Sequence, residues 1–333
     1  MSIGRNQLLY FLSLHRTGLL VGLLSIALII YPCFQDNPYT LGLTNLIGIN
    51  TIIVLGLNLF IGYTGQISLG HAAFFALGAY GSAIATVTAG IPPWPAMLLV
   101  AILVGLVALA IGIPVLRLTG HYLVMATLGF NFVVHSVLLE WDVVTGGPSG
   151  FSGIPSLSIG QFEFNSEIRL HYLIWGVTML CLLLCLNLVR SGVGRGLAAL
   201  AGDETAATAL GVDTRRAKIK VFVLSAVLAS LAGSLFAHSF GYLSPDSFGI
   251  FTSADLVTMV VIGGMGSIWG SIFGAGLITI LPEWVALFDT YKDLVHGTIL
   301  VLVLMFLPQG LVSGIVDLIK IRIALQRRKN AAA

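Results

Sequence analysis

The residues best suited to chemistry lie in a glycine-rich run, from Gly62 to His71, inside a long apolar stretch. His71 could bind a metal or carry a proton, since an ionisable residue in an apolar segment of this length is a functional candidate. No second histidine or carboxylate follows it at ligand spacing. Gln66 and Ser68 are polar neighbours within the same run. We therefore expect a neutral histidine hydrogen-bonded to exposed backbone, and no metal site.

The motifs of nucleotide-binding and hydrolytic enzymes are missing. The sequence has neither GxxxxGK[ST] nor HExxH, and Gly264-Met-Gly266-Ser-Ile is followed by Trp269 where GxGxxG requires glycine. Gly147-Pro-Ser149-Gly150 matches the GxSG pattern of intramembrane serine proteases. It lies, however, in a Gly- and Pro-rich loop rather than at the head of a buried helix. We expect no catalytic residue and no cofactor bound by this chain.

The composition determines which elements must hold these residues. The 333 residues are 57% hydrophobic and 9% charged, with a mean hydropathy of +1.00. This excludes an ordinary soluble domain, and apolar runs of membrane-spanning length recur along the chain. We predict an all-α integral membrane protein, a polytopic helical bundle of about ten membrane segments with broken helices. The predicted segments are 17–33, 41–61, 67–88, 96–115, 121–139, 170–189, 217–240, 253–265, 268–287 and 294–310.

The distribution of charge orients these segments. With the N-terminus in the cytoplasm, fourteen of the sixteen Lys and Arg residues fall inside, and only Arg169 and Lys292 fall outside. Because positive charge retained in the cytoplasm sets topology, we predict that both termini are cytoplasmic. The same topology gives a cytoplasmic loop 190–220 and an external loop 140–169. The predicted domains are a transmembrane domain, 1–315, and a basic cytoplasmic tail, 316–333.

Glycines interrupt two of the predicted segments. The run 62–71 leads into the third segment, and the eighth is too short to cross about 30 Å before it reaches further glycines. Opened backbone in a membrane is tolerated where it lines a cavity or packs on protein, so these segments indicate a transport pathway. Close helix packing is the alternative, and we favour it for the ladder Gly266, Gly270 and Gly274. The predicted pathway residues are Gly62, Gly65, Gln66, Ser68, Gly70, His71, Gly263, Gly264 and Gly266.

A polar island, residues 194–220, carries five of the sixteen basic residues and a short Ala-rich helix pattern. Asp203 can cap this helix and Gly211 can end it. A helical wheel separates a small apolar side from a polar side: Ala206, Ala207 and Leu210 against Glu204, Thr205 and Thr208. Such a helix in a cytoplasmic loop suggests a contact for a partner. The alternative is a solvated loop that only stops translocation.

Four stretches resemble a known family. Gly62-Tyr-Thr-Gly65-Gln66-Ile-Ser68-Leu-Gly70-His71-Ala-Ala-Phe74 is similar to the signature of LivM-like permease subunits of branched-chain amino-acid ABC importers. The other similar stretches follow in the family's order, over about residues 40 to 315 in all. They are Glu204–Gly211 with Lys218 and the helix after it, Val261–Gly270, and Leu307–Leu311.

The resemblance implies a heterodimer with a homologous LivH-like permease, two cytoplasmic ATPase subunits that bind ATP and Mg, and an exterior solute-binding protein. It implies a bacterial inner-membrane protein in contact with lipid, and it implies no nucleic-acid partner. The short helix would then be the coupling helix that meets an ATPase subunit, through Asp203, Glu204, Ala206, Ala207, Leu210 and Gly211. Urea, short amides or other small organic solutes are alternative cargoes. An ion-coupled transporter or channel would need charges inside the spans, which are almost free of them.

Overall fold

The fold is a bundle of helices of unequal length. The computed structural model describes residues 3–35, 37–160, 162–285 and 297–298. The helices are α1 (Ile3–Phe34), α2 (Pro38–Thr64), α3 (His71–Val87), α4 (Pro93–Val115), α5 (His121–Glu140), α6 (Asp142–Thr145), α7 (Glu167–Arg190), α8 (Gly192–Gly202), α9 (Glu204–Ala209), α10 (Thr214–Phe240), α11 (Ile250–Gly263) and α12 (Ile268–Val285). Four two-residue strands join them: β1 (Phe151–Ser152), β2 (Ser158–Ile159), β3 (Phe162–Glu163) and β4 (Tyr242–Leu243).

The apolar runs form helices where the sequence predicts membrane segments. Five helices in the described part of the chain are long and apolar enough to cross a membrane: α2, α4, α5, α7 and α10. Shorter apolar helices or helix portions lie at Leu20–Phe34, His71–Val87, Ile250–Gly263 and Ile268–Glu283. The tenth predicted segment, 294–310, and the predicted tail, 316–333, lie outside the described residues. The helical membrane fold is confirmed, whereas the number of ten segments stays a prediction.

The centre of the bundle is α2, because this helix is apolar on every side. Ile49, Ile52, Val54 and Leu57 are all fully buried although they point in different directions around its axis. It packs against α7, α10, α11 and α12. A helix that is hydrophobic all round is stable only where other helices or lipid cover it, and here helices do so.

Glycines allow α3 and α10 to cross at short distance. A Cβ atom at Gly78 would lie 2.3 Å from the carbonyl oxygen of Ser230, and one at Gly233 would lie 2.1 Å from that of Phe75. The Ser234 hydroxyl donates to the Gly78 carbonyl oxygen at 3.1 Å. Small residues at helix crossings let backbones approach in this way. Through this crossing α10 is fixed to α3, the helix that follows the glycine-rich run.

The loop 140–169 folds onto the end of α10. Strand β1 pairs antiparallel with β4, so that Phe151 lies opposite Leu243. His238 joins two elements, since its Nε2 lies 2.8 Å from the Ser82 hydroxyl and its Nδ1 donates to the Pro155 carbonyl oxygen at 2.7 Å. This histidine is therefore a satisfied structural residue, as are most buried polar groups.

Candidate functional site

The polar island folds into two short helices ahead of α10. Asp203 separates α8 from α9 and caps α9, because its Oδ1 accepts the backbone N–H groups of Thr205 at 2.8 Å and Ala206 at 3.1 Å. Gly211 ends the turn after α9 with a φ of 85°, a conformation that favours glycine. The cap and the stop predicted from the sequence are both confirmed. Hydrogen bonds from the Thr205 hydroxyl and these two N–H groups hold the pKa of Asp203 below its ordinary value.

The two faces of α9 differ from those of the helical wheel. Ala207 is 1% exposed and lies against the rest of the chain, whereas Leu210 is 80% exposed and Ala206 also faces outward. The backbone N–H of Val212 donates to the Ala207 carbonyl oxygen at 3.0 Å and folds the chain back beneath the helix. The apolar side of the helical wheel is therefore divided in the structure, with Ala207 buried and Ala206 and Leu210 exposed. The exposed apolar residues of α9 and its C-cap are Ala206, Ala209 and Leu210.

Glu204 does not stand free at the start of α9. Both of its carboxylate oxygens accept hydrogen bonds from the Lys218 ammonium, at 2.6 and 2.7 Å. The Lys218 side chain is only 4% exposed, and that of Glu204 is 44% exposed. Lys218 was not among the predicted site residues. A lysine in the first turns of an apolar helix was the available signal, since a buried ammonium needs a partner.

The glycine-rich run is non-helical from residue 65 to residue 70, as the prediction of an interrupted helix requires. Helix α2 ends at Gly65, which has a φ of 70° and donates its N–H to the Ile61 carbonyl oxygen at 3.0 Å. The Leu69 N–H donates to the Thr127 hydroxyl at 3.1 Å, and a Cβ atom at Gly70 would lie 3.0 Å from the Thr127 carbonyl oxygen. The open backbone is thus held against α5. Ser68 is buried and Gln66 is half-buried.

A second interruption lies between α11 and α12. Gly264 and Gly266 have φ values of 101° and 77°, so Gly266 belongs to a turn rather than to a helical packing ladder. Gly263 and Gly270 do pack, because a Cβ atom on either would lie within 2.2 Å of the other's carbonyl oxygen. Gly274 packs as well, because a Cβ atom there would lie 1.9 Å from the Met259 carbonyl oxygen. The packing interpretation therefore holds for Gly270 and Gly274, whereas Gly266 makes its close contact from the turn and not from a helix.

Asn58 of α2 holds this turn in place. Its Nδ2 donates to the Ser267 carbonyl oxygen at 2.8 Å and to the Ser271 hydroxyl at 3.0 Å, and its Oδ1 accepts the Gly266 N–H at 2.9 Å. A Cβ atom at Gly62 would lie 2.1 Å from the same Gly266 nitrogen. Gly62 and Gly266 are thereby brought together, which the sequence could not show. Asn58 was missed, and its signal was an amide in the middle of an apolar span.

His71 lies at the start of α3, immediately after the open backbone. Its Nε2 is 2.9 Å from the Ser225 hydroxyl of α10, and its side chain is enclosed by Phe60, Phe74 and Phe222 at ring-centroid distances of 5.9 to 6.2 Å. Its hydrogen-bond partner is thus a side chain rather than the exposed backbone that the sequence suggested. Among the residues that the structure describes, no three histidine, cysteine or carboxylate side chains could share a metal ion.

Two further polar side chains attach the start of α3 to its neighbours. The Ser253 hydroxyl of α11 accepts the Ala72 N–H at 3.2 Å and the Asn131 Nδ2 of α5 at 3.1 Å. Asn131 and Ser253 are both buried. Neither was predicted, although polar residues inside apolar spans indicate interhelical hydrogen bonds. The start of α3 is thus a junction of α5, α10 and α11.

The helical bundle and its interrupted helices define the class of protein. The bundle is a multi-pass helical membrane protein with broken helices, and large apolar side chains on the surface of α4, such as Leu98 and Ile102, suit contact with lipid. Residues 39–304 match the family described as branched-chain amino acid transport system / permease component. The chain belongs to this family of ABC importer permeases.

Relatives with assigned names agree with this membership. The chain is 35% identical, over 88% of its length and 74% of the relative's, to the high-affinity branched-chain amino acid transport system permease protein LivM of Escherichia coli K12. It is 30% identical to the permease protein LivH of the same strain, over 83% of this chain and 94% of that one. It is 29% identical to BraD of Pseudomonas aeruginosa, over 79% and 91%. No solved structure matches.

Proposed function

We propose that this chain is a membrane-spanning subunit of an ATP-driven importer for branched-chain or other hydrophobic amino acids. In this proposal a second, LivH-like permease shares the pathway, two cytoplasmic ATPase subunits bind ATP and Mg and hydrolyse the nucleotide, and an external binding protein delivers the solute. The chain itself performs no catalysis and holds no cofactor. The observation that carries the proposal is α9, a short capped helix that exposes Leu210 in a basic loop between membrane helices.

The exposed side of α9 suits a protein partner better than solvent. A large aliphatic side chain that is 80% exposed, next to a small alanine, can fill a pocket of a partner without steric conflict. The helix is short, capped and anchored from beneath, so that little conformational entropy would be lost on binding. A loop that merely stops translocation requires none of these features.

The proposed orientation places both termini and loop 190–220 in the cytoplasm and loop 140–169 outside, in a bacterial inner membrane with ten spans. Cysteine labelling tests this directly. Cys33 is exposed and must first be replaced by serine, whereas Cys181 and Cys185 are buried. In that background, Thr208→Cys and Ser152→Cys provide exposed reporters in the two loops. A membrane-impermeant maleimide applied to intact cells should label the cysteine at 152 only, and labelling of both or of 208 alone would refute the orientation.

The transport proposal is tested by reconstitution of the chain with its cognate permease, ATPase and binding-protein partners in proteoliposomes. We expect leucine uptake that needs ATP and the binding protein and that persists without an ion gradient. Uptake that follows an imposed ion gradient without ATP would favour an ion-coupled transporter instead. Uptake of urea or acetamide in place of leucine would support the importer architecture but refute the proposed amino-acid solute.

The proposed pathway along 62–71 and 263–266 is tested at Gly70. A larger side chain there meets the Thr127 backbone at 3.0 Å and must displace the open segment from α5. We expect Gly70→Leu to abolish uptake while the ATPase subunits still co-purify. Gly176→Leu, at a helical glycine of α7 with nothing within 4 Å of the added Cβ, is the matched control for added bulk and should retain uptake. Normal uptake by Gly70→Leu would move the pathway elsewhere.

A further inference from the structure

Helix α9 is attached to α10 by one charged contact. The Lys218 ammonium reaches back from the second turn of α10 to both carboxylate oxygens of Glu204, the first residue of α9. Because the Lys218 side chain is 4% exposed, this ammonium depends on that carboxylate in place of water. Both oxygens of this carboxylate are thus engaged within the chain, which fixes the start of α9 relative to α10.

The face of α10 that carries Lys218 also reaches the glycine-rich run. Lys218, Phe222 and Ser225 are spaced i, i+4 and i+7, so they lie on one face of the helix. Phe222 contacts the His71 ring and the Ser225 hydroxyl lies 2.9 Å from His71 Nε2. At 1.5 Å per residue, Lys218 and Ser225 are separated by about 10 Å along the axis. One rigid helical face therefore joins the start of α9 to the start of α3.

We propose that Glu204 and Lys218 form an internal strut that transmits movement of α9 to α10 and so to the His71 junction, while the ATPase subunit contacts the outward side of α9 at Leu210. Lys218 is a positioning residue in this scheme. The inference rests on the proposed function, since it presumes that α9 meets an ATPase subunit. It differs from a simple docking role because Glu204 acts within the chain and not on the partner.

The test is a double-mutant cycle in the reconstituted complex. We compare Lys218→Met, Glu204→Gln and the double variant, and we measure two quantities: ATPase co-purification, and solute imported per ATP hydrolysed. Each single variant should retain ATPase co-purification within about twofold but import about five- to tenfold less solute per ATP, which is the low end of typical coupling energies. The double variant should be no worse than either single variant, because the two residues act through one contact.

Two controls separate the strut from other roles. Arg216→Met removes a neighbouring charge whose side chain is 81% exposed, and it should leave the import ratio unchanged. Leu210→Ala should lower ATPase co-purification, which the strut variants should not. Glu204→Gln can be compared only if it folds, because it leaves a buried ammonium without a counter-charge. If it folds poorly, the double variant, which lacks both charges, provides the test by itself.

The outcomes that overturn the inference are distinct from those that overturn the proposed function. Wild-type import per ATP in the double variant refutes the strut, as does loss of ATPase co-purification in Glu204→Gln but not in Lys218→Met. A variant that only melts earlier, with an unchanged import ratio, assigns the pair a purely structural role and also refutes it. Failure of the unmodified chain to recruit an ATPase subunit would instead refute the proposed function.

Discussion

Asn58→Leu is the substitution whose effect follows most directly from the contacts. The amide makes three hydrogen bonds of 2.8 to 3.0 Å to the turn between α11 and α12, and leucine has a similar size but makes none. At about 0.6 kcal/mol for each interhelical hydrogen bond in a membrane protein, the three bonds together contribute roughly 2 kcal/mol. The loss is larger where the Gly266 N–H and the Ser267 carbonyl are left without partners, at about 1 to 3 kcal/mol each, so we expect a total loss of about 2 to 6 kcal/mol.

The assay is reversible unfolding of the purified chain in mixed micelles, together with uptake in proteoliposomes. Asn50→Leu is the matched control, because Asn50 lies on the same helix and makes one hydrogen bond of 2.9 Å, to Thr279 of α12. We expect the control to lose about 0.6 kcal/mol and to retain uptake. Asn58→Leu should lose uptake as well as stability, since the turn would no longer be held against Gly62. Equal stability of the two variants, with full uptake in both, would refute the role assigned to Asn58.

Two further predictions concern backbone contacts. Gly78→Ala should lower the thermal midpoint of the chain and its yield, because the added Cβ would lie 2.3 Å from the Ser230 carbonyl oxygen. Gly129→Ala, at a helical glycine with nothing within 4 Å, should be neutral, and equal effects of the two changes would contradict the close crossing of α3 and α10. In the unmodified chain, hydrogen exchange should show that the Ala206 amide loses protection in acid. In Asp203→Asn this dependence on acid should be absent. Because the folded pKa of Asp203 lies below the ordinary 3.8, the charged cap is complete above that pH and is lost as pH falls through the folded value. Protection that is unchanged between pH 5 and pH 2 in the unmodified chain would count against this cap.

The sequence by itself determined the class, the family and most helix positions. Apolar runs predict helices because backbone N–H and C=O groups inside a membrane must hydrogen-bond to one another. This rule is local, since a helix satisfies these groups within its own segment. The cap at Asp203, the stop at Gly211 and the break after Gly65 are also local, since each depends on residues within one turn. These features were predicted and are present in the structure.

Only the tertiary structure decided which of these residues meet. His71 and Ser225 are 154 residues apart in sequence, and Asn58 and Gly266 are 208 apart. Helical periodicity predicts which face of a helix is apolar but not which helix covers it. The burial of Ala207 has the same origin: the anchor between Glu204 and Lys218, rather than the wheel of a six-residue helix, sets the rotation of α9. Contacts of this range depend on how the helices pack, because packing determines which distant groups come within hydrogen-bond distance.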